Sequence, residues 1–120
     1  MYTVEFYESV DCKNPVEQFL DSLDTKMSAK LVALMEVLEE KGTELRLPYS
    51  AYLGEGIFEL RCKQGSNITR VLYFFYIDKR IIFTNGFVKK TQKTPKRELK
   101  LAKARRADWI RRNGRDGVEK

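Results

Sequence analysis

Apolar and polar residues alternate over positions 3–8, the two-residue period of a strand with one buried face. The period then changes. Asn14-Pro15-Val16-Glu17 offers a helix start with Asn as N-cap, Pro at the first helical position and Glu three residues after the cap. Val16, Phe19, Leu20 and Leu23 follow at helical spacing. Asp24 is predicted to cap a second helix whose Met27, Leu31, Leu34, Met35 and Leu38 form a stripe, with Gly42 as terminator. The two helices read as a hairpin laid on a sheet, and their Met and Leu residues as core. Residues 43–55, with Pro48, Tyr49, Tyr52 and Gly54, read as a loop. Runs at 57–63, 69–77 and 80–89, joined at Gln64-Gly65-Ser66-Asn67 and Asp78-Lys79, predict an antiparallel meander. Thr94 is predicted to cap a last helix that opens at Pro95 and reaches about Arg112, with Leu99, Ala102, Arg106, Trp109 and Ile110 along one side. The order is β-α-α-β-β-β-α, an α+β domain.

A chain of 120 residues has room for one core, and its 42% apolar and 12% aromatic content fits a folded globule. The expected domain is 1–112, with the polar, Gly-broken stretch 113–120 as a flexible tail. No secretory leader or span-length apolar run stands out, so a cytoplasmic protein with no membrane contact is expected. Cys12 and Cys62 lack metal or redox spacing and are expected to be reduced, buried thiols.

Charge sharpens the picture because it is unevenly placed. Residues 1–88 carry ten Lys/Arg against thirteen Asp/Glu, whereas residues 89–115 carry twelve Lys/Arg against only Glu98 and Asp108. Such a field favours a polyanion or an acidic protein at one end, though a merely solvated basic helix is the plain alternative. The chain has no histidine. That excludes a His general base, Ser–His or Cys–His nucleophile pairs, and any His-containing metal site. No Cys cluster, carboxylate ladder or phosphate-binding Gly-rich loop suggests a metal or cofactor, and none is expected.

Alternation places the remaining candidates. Phe58, Leu60 and Cys62 should face the helices, leaving Glu59 and Arg61 on the open side of the sheet. Arg70 shares its face with Leu72, Phe74 and Tyr76, while Lys89 and Lys90 end the last strand and diverge. Cations brought together on a sheet call for an anion between them, and a scissile phosphate would serve. Plain structural alternatives are an ion pair with Glu59 or another carboxylate for Arg61, a rim or turn-proximal surface position for Arg70, and solvation for Lys89 and Lys90.

Three ordered blocks then point to a family: Gly56-Ile57-Phe58-Glu59-Leu60-Arg61, Thr69-Arg70-Val71-Leu72-Tyr73-Phe74-Phe75, and the stretch from Asn85-Gly86-Phe87-Val88-Lys89-Lys90 through Thr91-Gln92-Lys93-Thr94-Pro95. Together they closely resemble the HigB-like, phage-related branch of the RelE/ParE toxin superfamily. The resemblance spans about residues 55–105 and continues through Glu98 and Ala102. It implies a RelE-like fold, with a twisted, mainly antiparallel sheet, the helical hairpin on one face, the mRNA site on the other, and a C-terminal helix. It further implies metal-free cleavage of mRNA in the ribosomal A site, with the RNA's own 2′-OH attacking the adjacent phosphate. Carried over by motif, Arg70 and Lys90 would contact the scissile phosphate, with Arg61 and Lys89 in the same catalytic set. Phe87, Lys93, Lys96, Arg97, Lys100 and Lys103 would bind RNA or ribosome. The implied partners are the 70S ribosome and mRNA, a helix-turn-helix antitoxin encoded by the adjacent gene, and operator DNA through that antitoxin. Some relatives carry a site histidine, or a tyrosine after the basic residue; this chain has neither, so the acid and base stay unassigned. Competing readings are a ParE-like gyrase inhibitor, a non-catalytic RNA-binding module, and an adaptor for an acidic protein.

Overall fold

A computed structural model describes residues 1–89 and 93–114, with only the backbone of Lys89. The first element is strand β1 (Thr3–Phe6), followed by helices α1 (Pro15–Ser22) and α2 (Thr25–Lys41). Strands β2 (Ser50–Gly54), β3 (Ile57–Gln64), β4 (Asn67–Tyr76) and β5 (Arg80–Lys89) come next, and α3 (Lys96–Asn113) closes the chain. The five strands make one sheet in the order β1-β5-β4-β3-β2, with β1 parallel to β5 and the other pairs antiparallel. Among the described residues, no helix is long and apolar enough to cross a membrane.

Local chemistry explains the helix starts. The Asn14 side chain accepts the Glu17 amide at 3.0 Å, and the Asp24 carboxylate accepts the Met27 amide at 2.8 Å, each supplying an orphan donor of the first turn. Gly42 ends α2 at φ +54°, and a Cβ there would sit 1.9 Å from the Tyr2 ring. Asp78 and Lys79 both take positive φ, 66° and 57°, as a two-residue hairpin turn requires.

Two cores sandwich the sheet. Val16, Leu31, Met35 and Leu38 of the helical hairpin bury Leu60, Val71, Tyr73, Ile81 and Phe83 on one face. On the other, Ala102 and Trp109 of α3 cover Tyr7, Ile57, Leu72, Phe74 and Ile82. The domain is therefore three-layered, and the face expected to stand open is largely roofed by α3. The apolar residues at 57, 72, 74 and 82 on that face explain this: exposed, they would be a large apolar patch.

Three other expectations change. Within the presumed loop 43–55, β2 pairs with β3 (Ala51↔Glu59, Tyr52↔Phe58), and Tyr52 packs on Phe58 at 4.8 Å between ring centroids. So short a strand has little period of its own and is specified by the edge it joins. Thr94 does not cap α3; Pro95 occupies the N-cap position with no side-chain bond, and the Thr94 hydroxyl turns to Glu59 instead. Cys12 is exposed, whereas Cys62 is buried as expected.

A bulge in β5 also matters for the site. The pairs Leu72↔Asn85 and Tyr73↔Phe83 leave Thr84 as an extra residue, which re-aims the strand beyond it. The Asn85 amide thereby reaches α3 and donates to the Glu98 side chain at 3.0 Å and to its carbonyl at 3.3 Å.

Candidate nucleic-acid interface

Arg61 and Arg70 stand directly opposite each other on β3 and β4, and Phe87 pairs with Arg70 from β5. Two guanidiniums side by side repel. Glu59, two residues before Arg61 and so on the same face, resolves the repulsion. Its Oε1 accepts Arg70 Nη1 at 2.8 Å and Arg61 Nε at 3.0 Å, while Oε2 accepts the Thr94 hydroxyl at 2.5 Å. Glu59 and Arg70 are buried, but the Arg61 side chain remains 28% exposed.

The ion pair considered for Arg61 is thus present, and the surface position considered for Arg70 is not. The anion between the two arginines is here the Glu59 carboxylate. Among the described residues, two cations on one carboxylate leave the cluster a formal charge of +1, and Arg61 presents it to solvent.

Beside the cluster, past the end of β2, lies a cleft of about 500 Å³. Arg61, Lys63, Ile68 and Arg70 come from β3 and β4, Lys30 and Leu34 from α2, and Pro48 and Tyr49 from the segment entering β2. Among the described residues, none that lines it is acidic. Tyr49 is fixed by backbone contact, its carbonyl accepting the Arg61 amide at 2.8 Å. Lys30 donates to the Lys63 carbonyl at 2.7 Å, and burial pushes the Cys62 thiol on the cleft floor up, away from thiolate reactivity.

The phage-derived Gp49-like family (DUF891) matches residues 18–107, a span that includes the Glu59 cluster, the cleft and the start of α3. The chain belongs to that family. The Gp49-like family is part of the RelE/HigB-type toxin superfamily, so this is a toxin-like, phage-derived protein. No curated protein matches the chain.

In this Gp49-like domain the basic C-terminal third divides in two. Toward its end, Asp108 pairs with Arg111 and Arg112 and accepts the Tyr7 hydroxyl at 2.7 Å. Arg105 donates to the Thr84 carbonyl at 3.0 Å, and Lys103 is committed to Glu55, whose carboxyl it holds below the usual range. At the start of α3 the charge is less compensated. Among the described residues, no hydrogen bond or ion pair engages Lys96 or Lys100, both exposed, and Arg97 has only a long contact of 3.8 Å to Glu98. Cations at a helix N-terminus oppose the macrodipole, so this end favours an external anion. Lys93 is exposed next to it, and Phe87 is half-buried against the α3 core.

Lys90 lies outside the described residues, as does the Lys89 side chain; the Lys89 backbone pairs with Ile68 at the same end of the sheet as Arg61 and Arg70. Sequence reasoning missed three features. Glu59 figured only as one partner for Arg61; the shared face of Glu59 and Arg61 was the available signal. Thr94 resembled a helix cap because the Thr-Pro pattern is common to many helix starts. Lys30, Tyr49 and Lys63 left no sequence signal as a group, since three separate elements supply them. Among the described residues, no three His, Cys, Asp or Glu side chains cluster as metal ligands.

Proposed function

We propose that this Gp49-like protein is the HigB-like toxin of a type II toxin–antitoxin pair and cuts mRNA on the ribosome. The observation that carries the reading is one basic end. The Arg61–Arg70 cluster, the cleft lined by Lys30 and Lys63, and the cations of Lys93, Lys96, Arg97 and Lys100 all lie near the hairpin end of β3 and β4 or the start of α3. RNA would lie across it, with Arg61, Arg70 and Lys90 at the scissile phosphate and Lys89 beside them. The RNA's 2′-OH attacks that phosphate, forming a 2′,3′-cyclic phosphate and releasing a 5′-OH. Guanidiniums stabilise the charge that builds on the phosphoryl oxygens. With no histidine in the chain, proton transfer falls to lysine, tyrosine or carboxylate. A helix-turn-helix antitoxin from the adjacent gene would cover the basic end and hold the pair on operator DNA.

Burial of Arg70 favours a second reading, a non-catalytic RNA-binding module, because a guanidinium sealed against Glu59 has to move to meet a phosphate. Primer extension on ribosome-bound mRNA after induction separates the two. Discrete cut sites in the ribosomal A site support the nuclease; translation arrest with uncut mRNA overturns it in favour of the binding module.

A further inference from the structure

We infer that the cleft beside β3 is a single-stranded RNA subsite, in which a base stacks on Tyr49 and the neighbouring phosphates meet Lys30 and Lys63. Its size, about 500 Å³, lies inside the roughly 300–1,000 Å³ range of small-ligand sites. Tyr49 is 52% exposed, and among the described residues its ring stacks on no other aromatic. Its backbone is held by β3, and the residue lines the cleft. The net charge around it is positive: Lys30 and Lys63 line the cleft with Arg61 and Arg70, which share the single Glu59 carboxylate, and among the described residues none of the lining ones is acidic. A cationic groove with a free aromatic face is the arrangement that binds single strands with little sequence preference. Duplex RNA offers no unstacked base to such a ring, so a splayed single strand is the fitting ligand. Arg61 belongs both to the cleft and to the Glu59 cluster, so a strand seated on Tyr49 continues directly into the proposed cutting site. In that respect the subsite rests on the nuclease reading, which sets its place next to the cut.

The test is equilibrium binding of a short labelled single-stranded RNA with 2′-O-methyl sugars, which cannot be cut by its own hydroxyl. The full chain should bind it. Tyr49→Ala should weaken binding about tenfold or more, and Tyr49→Phe should retain it, because stacking needs the ring and not the hydroxyl. Lys30→Ala and Lys63→Ala should each flatten the slope of log K against log salt by about 0.7. Circular dichroism melts check that the variants remain folded, as expected for an exposed ring and two lysine side chains. Unchanged affinity in Tyr49→Ala, or no RNA binding by the unaltered chain, overturns the subsite. If Tyr49-dependent binding holds while ribosome-bound mRNA stays uncut, the subsite stands and the nuclease reading falls.

Discussion

The Glu59 carboxylate holds the Arg70 guanidinium in a buried ion pair, Oε1 to Nη1 at 2.8 Å, on the sheet face that α3 crosses. Removing one member of such a pair leaves its partner's charge in a poorly solvated place, whereas replacing both by apolar groups is often neutral. Glu59→Ala should therefore cost about 3–5 kcal/mol in urea unfolding. The double variant Glu59→Leu/Arg70→Met should recover much of that loss. A Glu59→Ala loss below about 1 kcal/mol would show that the pair is solvated in solution.

Growth arrest should disappear in Arg70→Ala and in Lys90→Ala, with ribosome-bound cleavage falling about a hundredfold or more if either stabilises the transition state. Arg70→Ala strips a buried carboxylate of a partner, so its melting curve must be measured alongside. Full toxicity in both variants would remove the two residues from the catalytic set.

Thr94 gives a sharper discrimination between local and tertiary roles. As a helix cap it would tolerate aspartate, a preferred N-cap residue. As the hydroxyl donor to Glu59 at 2.5 Å it should not, because Thr94→Asp sets a second carboxylate against the first. Thr94→Val should lose about 1.5–3 kcal/mol, Thr94→Ser should stay near the parent, and Thr94→Asp should be worse than Val in thermal unfolding.

Alkaline pH should weaken the fold through Tyr73. Burial pushes its phenol from 10.0 up to about 12, opposed in part by its hydrogen bond with Ser50 at 2.6 Å. Below pH 10 the phenol is neutral in both states and stability is fully present. Between about 10 and 12 the unfolded chain loses the proton while the native chain keeps it, so stability falls as pH rises, by about 2–3 kcal/mol in all. Urea midpoints at about pH 9 and about pH 11 measure the drop, which should shrink in Tyr73→Phe.

Gly42→Ala should destabilise by about 2 kcal/mol or more, since a φ of +54° is unfavourable for any side chain and the new Cβ meets the Tyr2 ring. Thermal melts check the loss. Adding Tyr2→Ala should relieve the collision but leave the backbone strain, so recovery should be partial.

The elements that sequence alone determined depend on near neighbours. Asn14, Asp24 and Gly42 act within one helical turn, the alternation in β3 and β4 follows from the pleat, and Asp78-Lys79 closes a hairpin on itself. All were legible without a partner strand or a second layer. So was the pairing of Arg61 with a carboxylate, because Glu59 lies two residues away on the same face. Tertiary structure decided the rest. β2 exists because β3 offers it an edge, and α3 covers the Arg61 face because Leu72, Phe74 and Ile82 need a roof. Thr94 bonds Glu59, 35 residues away in sequence, instead of capping its own helix. Lys30, Tyr49 and Lys63 become one cleft only when α2, the segment entering β2, and β3 meet. Capping and pleating are short-range forces that leave a mark every few residues. Burial and charge neutralisation act between whichever groups the packed layers bring together, and no local pattern records which those will be.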